Sequence, residues 1–183
     1  MSANGVHLSS VSETDLEFMH RSKNDFELAF LMTAQPLPSS REQVLKWLQS
    51  TLADRNQVLF GIYNNAELRG VLRFMYIDWI SAVAEFGIYL ADESRGQGLG
   101  RHALTQALEH GFHRLNFNKI WLRVVSSNHS ARALYKSVGF VEEGVLKNHF
   151  FGNGTLHDLV IMSIFRKDYD LKDSLAKTKA QLE

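Results

Sequence analysis

The segment Arg95-Gly96-Gln97-Gly98-Leu99-Gly100 follows a β-rich run and opens a helical one. Glycines let a backbone come close to a ligand, and the free N–H groups at a helix start form an anion site. A pyrophosphate would fit such a loop, and Arg95 and Arg101 at its borders could add charge-assisted hydrogen bonds. The same glycines would also suit a bare strand-to-helix turn. The Gly-Lys-Ser/Thr end of a lysine-bearing phosphate loop is absent. A dinucleotide fingerprint can be laid over Gly98-x-Gly100-x-x-Ala103, but it calls for a carboxylate at the end of the next strand. That strand ends Val124-Val125-Ser126-Ser127-Asn128, without one. Nicotinamide and flavin are therefore disfavoured.

Other reactive side chains say less. The chain has no cysteine, which excludes disulfides, thiolate metal sites and a cysteine nucleophile. His102, His110 and His113 share a helix face, yet His102 and His110 would stand ~12 Å apart along the axis, too far for one metal. They read as a solvated edge. His149 and His157 could face each other across a hairpin that turns symmetrically at Asn153. No metal is expected.

The elements that must position the glycine loop follow from periodicity. Val6–Val11 is a short strand. Glu13–Met32 is helical, with a break near Ser22–Asn24. Ser39-x-x-Glu42 reads as a capping box for a helix carrying Val44, Leu45, Trp47, Leu48 and Leu52. Gln57–Tyr63, Leu68–Ile77 and Ala82–Leu90 then form an antiparallel meander. After the glycine loop, Leu104, Leu108, Gly111, Phe112 and Leu115 line one face of a long helix. Lys119–Val125 is a strand and Ser130–Val138 a short helix, which Ser130 could cap. Phe140–Phe151 and Thr155–Phe165 close the chain as a hairpin. The order is β-α-α-β-β-β-α-β-α-β-β, an α+β fold with one parallel crossover in a mixed sheet.

Composition narrows the class. The chain has 183 residues, of which 45% are hydrophobic and 22% charged, as in a single globular domain. Lys+Arg and Asp+Glu are 20 each, so the formal charge is zero. Nucleic-acid binders usually carry a basic excess, and none is expected here as a partner. No apolar run approaches the ~18 residues of a membrane span, and no signal peptide is visible at Met1–Gly5. A cytoplasmic protein is expected. We expect one domain over residues 1–169 and a polar tail over 170–183, with Leu171, Leu175 and Leu182 available to a helix or a partner. An unpaired strand edge or this tail could support a homodimer.

Two motifs together resemble a known family. Arg95 to Gly100 is similar to the Arg/Gln-x-x-Gly-x-Gly/Ala loop of the GNAT superfamily of acetyl-coenzyme A-dependent N-acetyltransferases. Asn128-x-x-Ala131-x-x-Leu134-Tyr135-x-x-Val138-Gly139-Phe140 resembles its second signature. Ala84-Glu85-Phe86 and the hairpin through Gly152-Asn153-Gly154 and His157-Asp158 resemble the branch of ribosomal-protein N-terminal and spermidine acetyltransferases. The resemblance covers roughly Val6 to Tyr169, loosely over the first ~55 residues.

It implies acetyl-CoA as co-substrate and an amine acceptor. The amides of Arg95, Gly96, Gln97, Gly98, Leu99, Gly100 and Arg101 would hold the pyrophosphate. The strand from Gly87 to Leu90, Ile88 and Leu90 included, would offer backbone groups to the pantetheine arm and an N–H to the thioester oxygen. Asn128 would contact pantetheine, and Tyr135 would protonate the departing thiolate. Tyr135 shares a helix side with Ala131 and Leu134 and faces the sheet, where a plain core tyrosine would also sit. Glu85, amid Val83, Phe86 and Ile88, is the best candidate base: partly buried, its carboxyl would be raised and could take the acceptor's proton. A solvated carboxylate on the outer face is the competing reading. Glu13, Asp15, Glu17, Asp25 and Glu27 could rim the acceptor mouth and steer a cationic amine, or form a solvated face. The expected reaction is acetyl transfer to a primary amine (a protein N-terminus, a polyamine or an amino sugar) by direct attack in a ternary complex. A coenzyme-binding sensor without turnover is the alternative.

Overall fold

The computed structural model describes residues 5–171. In chain order the elements are β1 (Val6–Ser9), α1 (Leu16–Lys23), α2 (Phe26–Leu31), α3 (Arg41–Ala53), β2 (Val58–Asn64), β3 (Glu67–Asp78), β4 (Val83–Leu90), α4 (Leu99–His113), β5 (Lys119–Val125), α5 (His129–Val138), β6 (Val141–Gly152) and β7 (Thr155–Phe165). The first helical stretch divides where expected. Asn24 ends α1, and Asp25 caps α2 by accepting from the Leu28 N–H at 2.9 Å. The capping box of α3 lies one residue further on, at Ser40 and Gln43 rather than Ser39 and Glu42. Ser39 is held elsewhere: its N–H donates to Asn24 Oδ1, and its carbonyl accepts from Asn24 Nδ2, each at 2.9 Å.

The strands make one seven-stranded sheet in the order β1-β2-β3-β4-β5-β7-β6. The β4–β5 pair is parallel and all other pairs are antiparallel. Successive strand residues point to opposite faces, so each face gathers its own core. Leu72 and Phe74 of β3 join Leu104, Leu108 and Phe112 of α4 on one face. Val71 of β3 and Leu59 of β2 join Met19 of α1 and Val44 and Leu48 of α3 on the other. Burying a Leu or Phe side chain stabilises by about 1.5–3 kcal/mol, so both faces contribute to one folded unit. This alternation also decides which polar side chains share a face: Arg73, Glu85, Tyr89 and Arg123 all fall on the side of α1–α3.

The closing hairpin corrects one expectation. Asn153 and Gly154 both have positive φ, 48° and 80°, in a two-residue turn of the type that matches strand twist. Such a turn is symmetric about the bond between its two residues, not about Asn153. His157 therefore pairs with Phe150, and His149 is not opposite it. The His157 ring meets Phe30 of α2 edge-on at 5.0 Å, which fastens the hairpin to the helical layer. At the sheet edge, Val141, Val145 and Phe151 of β6 are exposed. Residues 166–171 are helical; Leu171 is exposed, and Leu175 and Leu182 lie outside the described residues. Among the described residues no helix is long and apolar enough to cross a membrane.

Candidate active site

β4 and β5 pair only at Val83–Lys119, Ala84–Ile120 and Glu85–Trp121, although β4 runs on to Leu90 and β5 to Val125. Beyond Glu85 the parallel strands splay. The β4 edge from Phe86 to Leu90 keeps its β3 partners on one side and loses β5 on the other. A cavity of about 430 Å³ fills the opening, lined by Glu85, Ile88, Leu90, Gly96, Gly98, Gly100, Arg101, Asn128 and Tyr135 among others. Unpaired backbone at the lip of a cavity is a receptor for an extended, amide-bearing ligand, because its N–H and C=O groups need partners.

The glycine loop closes one end of this cavity. Gly96 and Gly98 have φ of 72° and 79°, and a Cβ on either would meet nothing within 4 Å. Protein packing therefore does not require these glycines. The positive φ does, and the space in front of them stays open for a ligand. Gly98 is the N-cap of α4 and leaves that helix's first amides without a side-chain cap. Free amides at a helix start suit a pyrophosphate, so the loop fits a coenzyme A head. The flanking arginines spend donors on the protein. Arg95 Nε donates to the Leu90 carbonyl at 3.2 Å and pairs with Asp92 at 2.6 Å. Arg101 donates to the Ser137 carbonyl at 3.1 Å. Gln97 Nε2 donates to the Glu93 carbonyl at 2.6 Å, bracing the loop from behind. Both arginines still line the cavity, beside the free backbone amides. Replacing Gly98 by valine should strain the loop by roughly 1–2 kcal/mol and push a side chain into that space. The expected result is about a tenfold rise in KM for acetyl-CoA with kcat at saturation nearly kept; an unchanged KM would remove the loop from coenzyme binding.

Asn128 has a double position. Its Oδ1 accepts from the Ala131 N–H at 3.1 Å and so caps α5, a task the sequence suggested for Ser130. It also lines the cavity. Tyr135, two turns further, is 7% exposed and packs on Phe140 at 5.6 Å between ring centres. Its hydroxyl makes no hydrogen bond among the described residues, and burial pushes the phenol well above its ordinary value. The phenol therefore stays a neutral donor beside the cavity.

Glu85 lies where the splay begins and is 5% exposed, so the solvated outer-face reading is excluded. Arg123 of β5, which the sequence reading passed over, donates to Glu85 Oε1 through Nε at 3.0 Å and approaches it through a terminal nitrogen at 2.9 Å. Both contacts fall on one oxygen. The signal was available: Arg123 is a lone cation between the buried Leu122 and Val124 of a strand. Glu85 and Arg123 line a second cavity, about 400 Å³, on the α1–α3 face, together with Lys23, Trp47, Arg73 and Tyr89. The early acidic residues do not line it. Glu13 accepts from Gln49, Asp15 from Tyr63, Glu17 pairs with Arg41, and Asp25 caps its helix. The two cavities share Glu85 and Arg123, together with Leu28, Met32, Thr33, Met75, Gly87 and Tyr89, so they run into each other where the sheet opens. No cluster of metal-ligating side chains occurs among the described residues.

A splayed parallel pair under a glycine-rich helix start, with a neutral phenol in the gap, defines an acyl-coenzyme A-dependent transferase. The acetyltransferase (GNAT) domain family matches residues 6–141, and the chain belongs to that family. It is 33% identical over 164 residues to spermidine N(1)-acetyltransferase of Vibrio cholerae, covering 88% of this chain and 94% of the relative. It is 29% identical over 168 residues to the Escherichia coli K12 spermidine N(1)-acetyltransferase, covering 92% and 90%. A crystal structure of the V. cholerae enzyme with CoA and spermine superposes with a TM-score of 0.86 at 31% identity, covering 90% of this chain and 97% of that one. The protein is an N-acetyltransferase that uses acetyl-CoA as co-substrate and a primary amine as acceptor.

Proposed function

We propose that the amine enters from the α1–α3 face and attacks the thioester directly at the splay. The observation that carries this is the meeting of two clefts at Glu85, with Tyr135 on the coenzyme side. The amine nitrogen's lone pair bonds to the acetyl carbon, and the carbon–sulfur bond breaks. The nitrogen's surplus proton leaves toward Glu85, directly or through water, and the sulfur departs toward the Tyr135 hydroxyl. Free N–H groups of β4 between Phe86 and Leu90 stabilise the oxyanion. Asn128 and the backbone of Ile88 and Leu90 hold the pantetheine arm. No enzyme nucleophile is needed, and the chain has no cysteine to supply one. We place the protein in the cytoplasm, where acetyl-CoA is made and used.

The test is release of free coenzyme thiol over a panel of primary amines. We expect turnover that saturates in both substrates with intersecting initial-rate lines, as a ternary complex demands. Parallel lines would indicate an acetylated enzyme and overturn direct attack. The names of the relatives suggest a polyamine acceptor, but the charge of the acceptor cleft suggests otherwise.

A further inference from the structure

Among the described residues, the acceptor cleft holds three cations, Lys23, Arg73 and Arg123, against the single carboxylate of Glu85. Glu85 is committed to Arg123. Lys23 and Arg73 form no salt bridge among the described residues, and Arg73 feels the Glu85 charge only at longer range. Both stand on one aromatic ring. Lys23 Nζ lies 4.0 Å and Arg73 Cζ 5.9 Å from the centre of Trp47. Burial, and then the Arg73 charge, lowers the Lys23 pKa, while burial lowers that of Arg73. Two like charges held over one ring beside a cleft are an unfavourable arrangement until an anion joins them. A polyamine, itself carrying several positive charges, would add to the repulsion.

We propose that the acceptor is a primary amine bearing an anionic group, a carboxylate or a phosphate, which Arg73 and Lys23 bind while the nitrogen lies at Glu85. The proposal rests on the transfer reading above and names its substrate class. The geometry assigns each end of the acceptor to a charge of opposite sign. Arg73 pairs in register with Gly87, two residues along β4 from Glu85, so the anion site lies beside the reacting centre. Lys23 stands in the last turn of α1, at the border of the cleft. Trp47, which carries both cations, lines the same cleft.

Matched amines test it. Thiol release is measured with ethanolamine against phosphoethanolamine, with propylamine against β-alanine, and with spermidine. We expect each anionic amine to exceed its neutral mate by about tenfold to a hundredfold in kcat/KM, the worth of one or two charge-assisted hydrogen bonds, with spermidine lowest. The phosphate and carboxylate arms tell which anion is taken. Added salt should shrink the advantage. Lys23→Gln and Arg73→Gln should each raise KM for the preferred amine about tenfold and reduce its advantage over the neutral mate. Equal or better use of spermidine or of the neutral mates would overturn the anionic acceptor and leave direct transfer standing. Absence of thiol release with every amine, despite bound acetyl-CoA, would overturn the transfer reading and this inference with it.

Discussion

Replacing Tyr135 by phenylalanine is expected to lower kcat by about 10²–10³-fold while acetyl-CoA still binds. The magnitude follows from what a buried phenol can do. A thiol resembling that of cysteine titrates near 8.5, well below a phenol that burial has raised. Complete transfer of the phenolic proton to sulfur is therefore uphill. A hydrogen bond into the charge growing on sulfur is not, and losing one donor aimed at developing charge costs about 2.7–4 kcal/mol in a water-poor site. The hydroxyl makes no other hydrogen bond among the described residues, and the ring rests on Phe140. Its removal should thus leave the melting temperature nearly unchanged, because no hydrogen bond to the protein is lost. The pH dependence follows as well. A phenol at its ordinary value would be half ionised near pH 10. Burial holds Tyr135 protonated there, so no fall in kcat below pH 10 should trace to it. Full kcat in the phenylalanine variant, with coenzyme binding intact, would end the assignment.

Much of this site was legible because it is built from local backbone. The glycine loop sits between a strand and a helix, and that order shows in a short window around Arg95–Gly100. Tyr135 and Asn128 share one short helix and follow from its periodicity. Glu85 was legible as a strand residue among apolar neighbours. Its burial was not, because burial depends on Arg123, 38 residues away and brought alongside by the parallel register. The acceptor cleft was the least legible. It is assembled from α1, α2, α3, the segment between α2 and α3, and β2 to β5, and its charge depends on which side chains meet there. The acidic residues Glu13, Asp15 and Glu17 are plain in the sequence, yet each is drawn to a partner away from the cleft. Lys23, Trp47 and Arg73, distant in sequence, converge instead. The small errors have local causes. A serine pair offered two capping registers, and Asn24 settled it by holding Ser39. At the hairpin, a turn centred between Asn153 and Gly154 shifts the cross-strand partners next to it, Phe150 to Gly152, by one.

The Glu85–Arg123 pair separates stability from chemistry. Arg123→Met should destabilise the protein by about 3 kcal/mol, the lower end for removing one partner of a buried pair. The lower end applies because the Arg123 side chain is 33% exposed, that of Glu85 is 7% exposed, and Arg73 lies near enough to feel the Glu85 charge. At this chain length the melting temperature should fall by roughly 6–12 °C. Glu85→Gln should cost less, because the amide oxygen can still accept from Arg123 and the guanidinium reaches water. Its effect on catalysis should be larger. With no carboxylate to take the amine's proton, kcat/KM should drop about 10²-fold. Combining Glu85→Gln with Arg123→Met leaves no buried charge to compensate, so the double variant should regain most of the stability lost in Arg123→Met and none of the activity. Recovery of the melting temperature without recovery of rate is the signature of a carboxylate that reacts and a guanidinium that holds it. A double variant as unstable as Arg123→Met would instead assign the loss to packing of the arginine stem, and an unchanged kcat/KM in Glu85→Gln would remove Glu85 as the base.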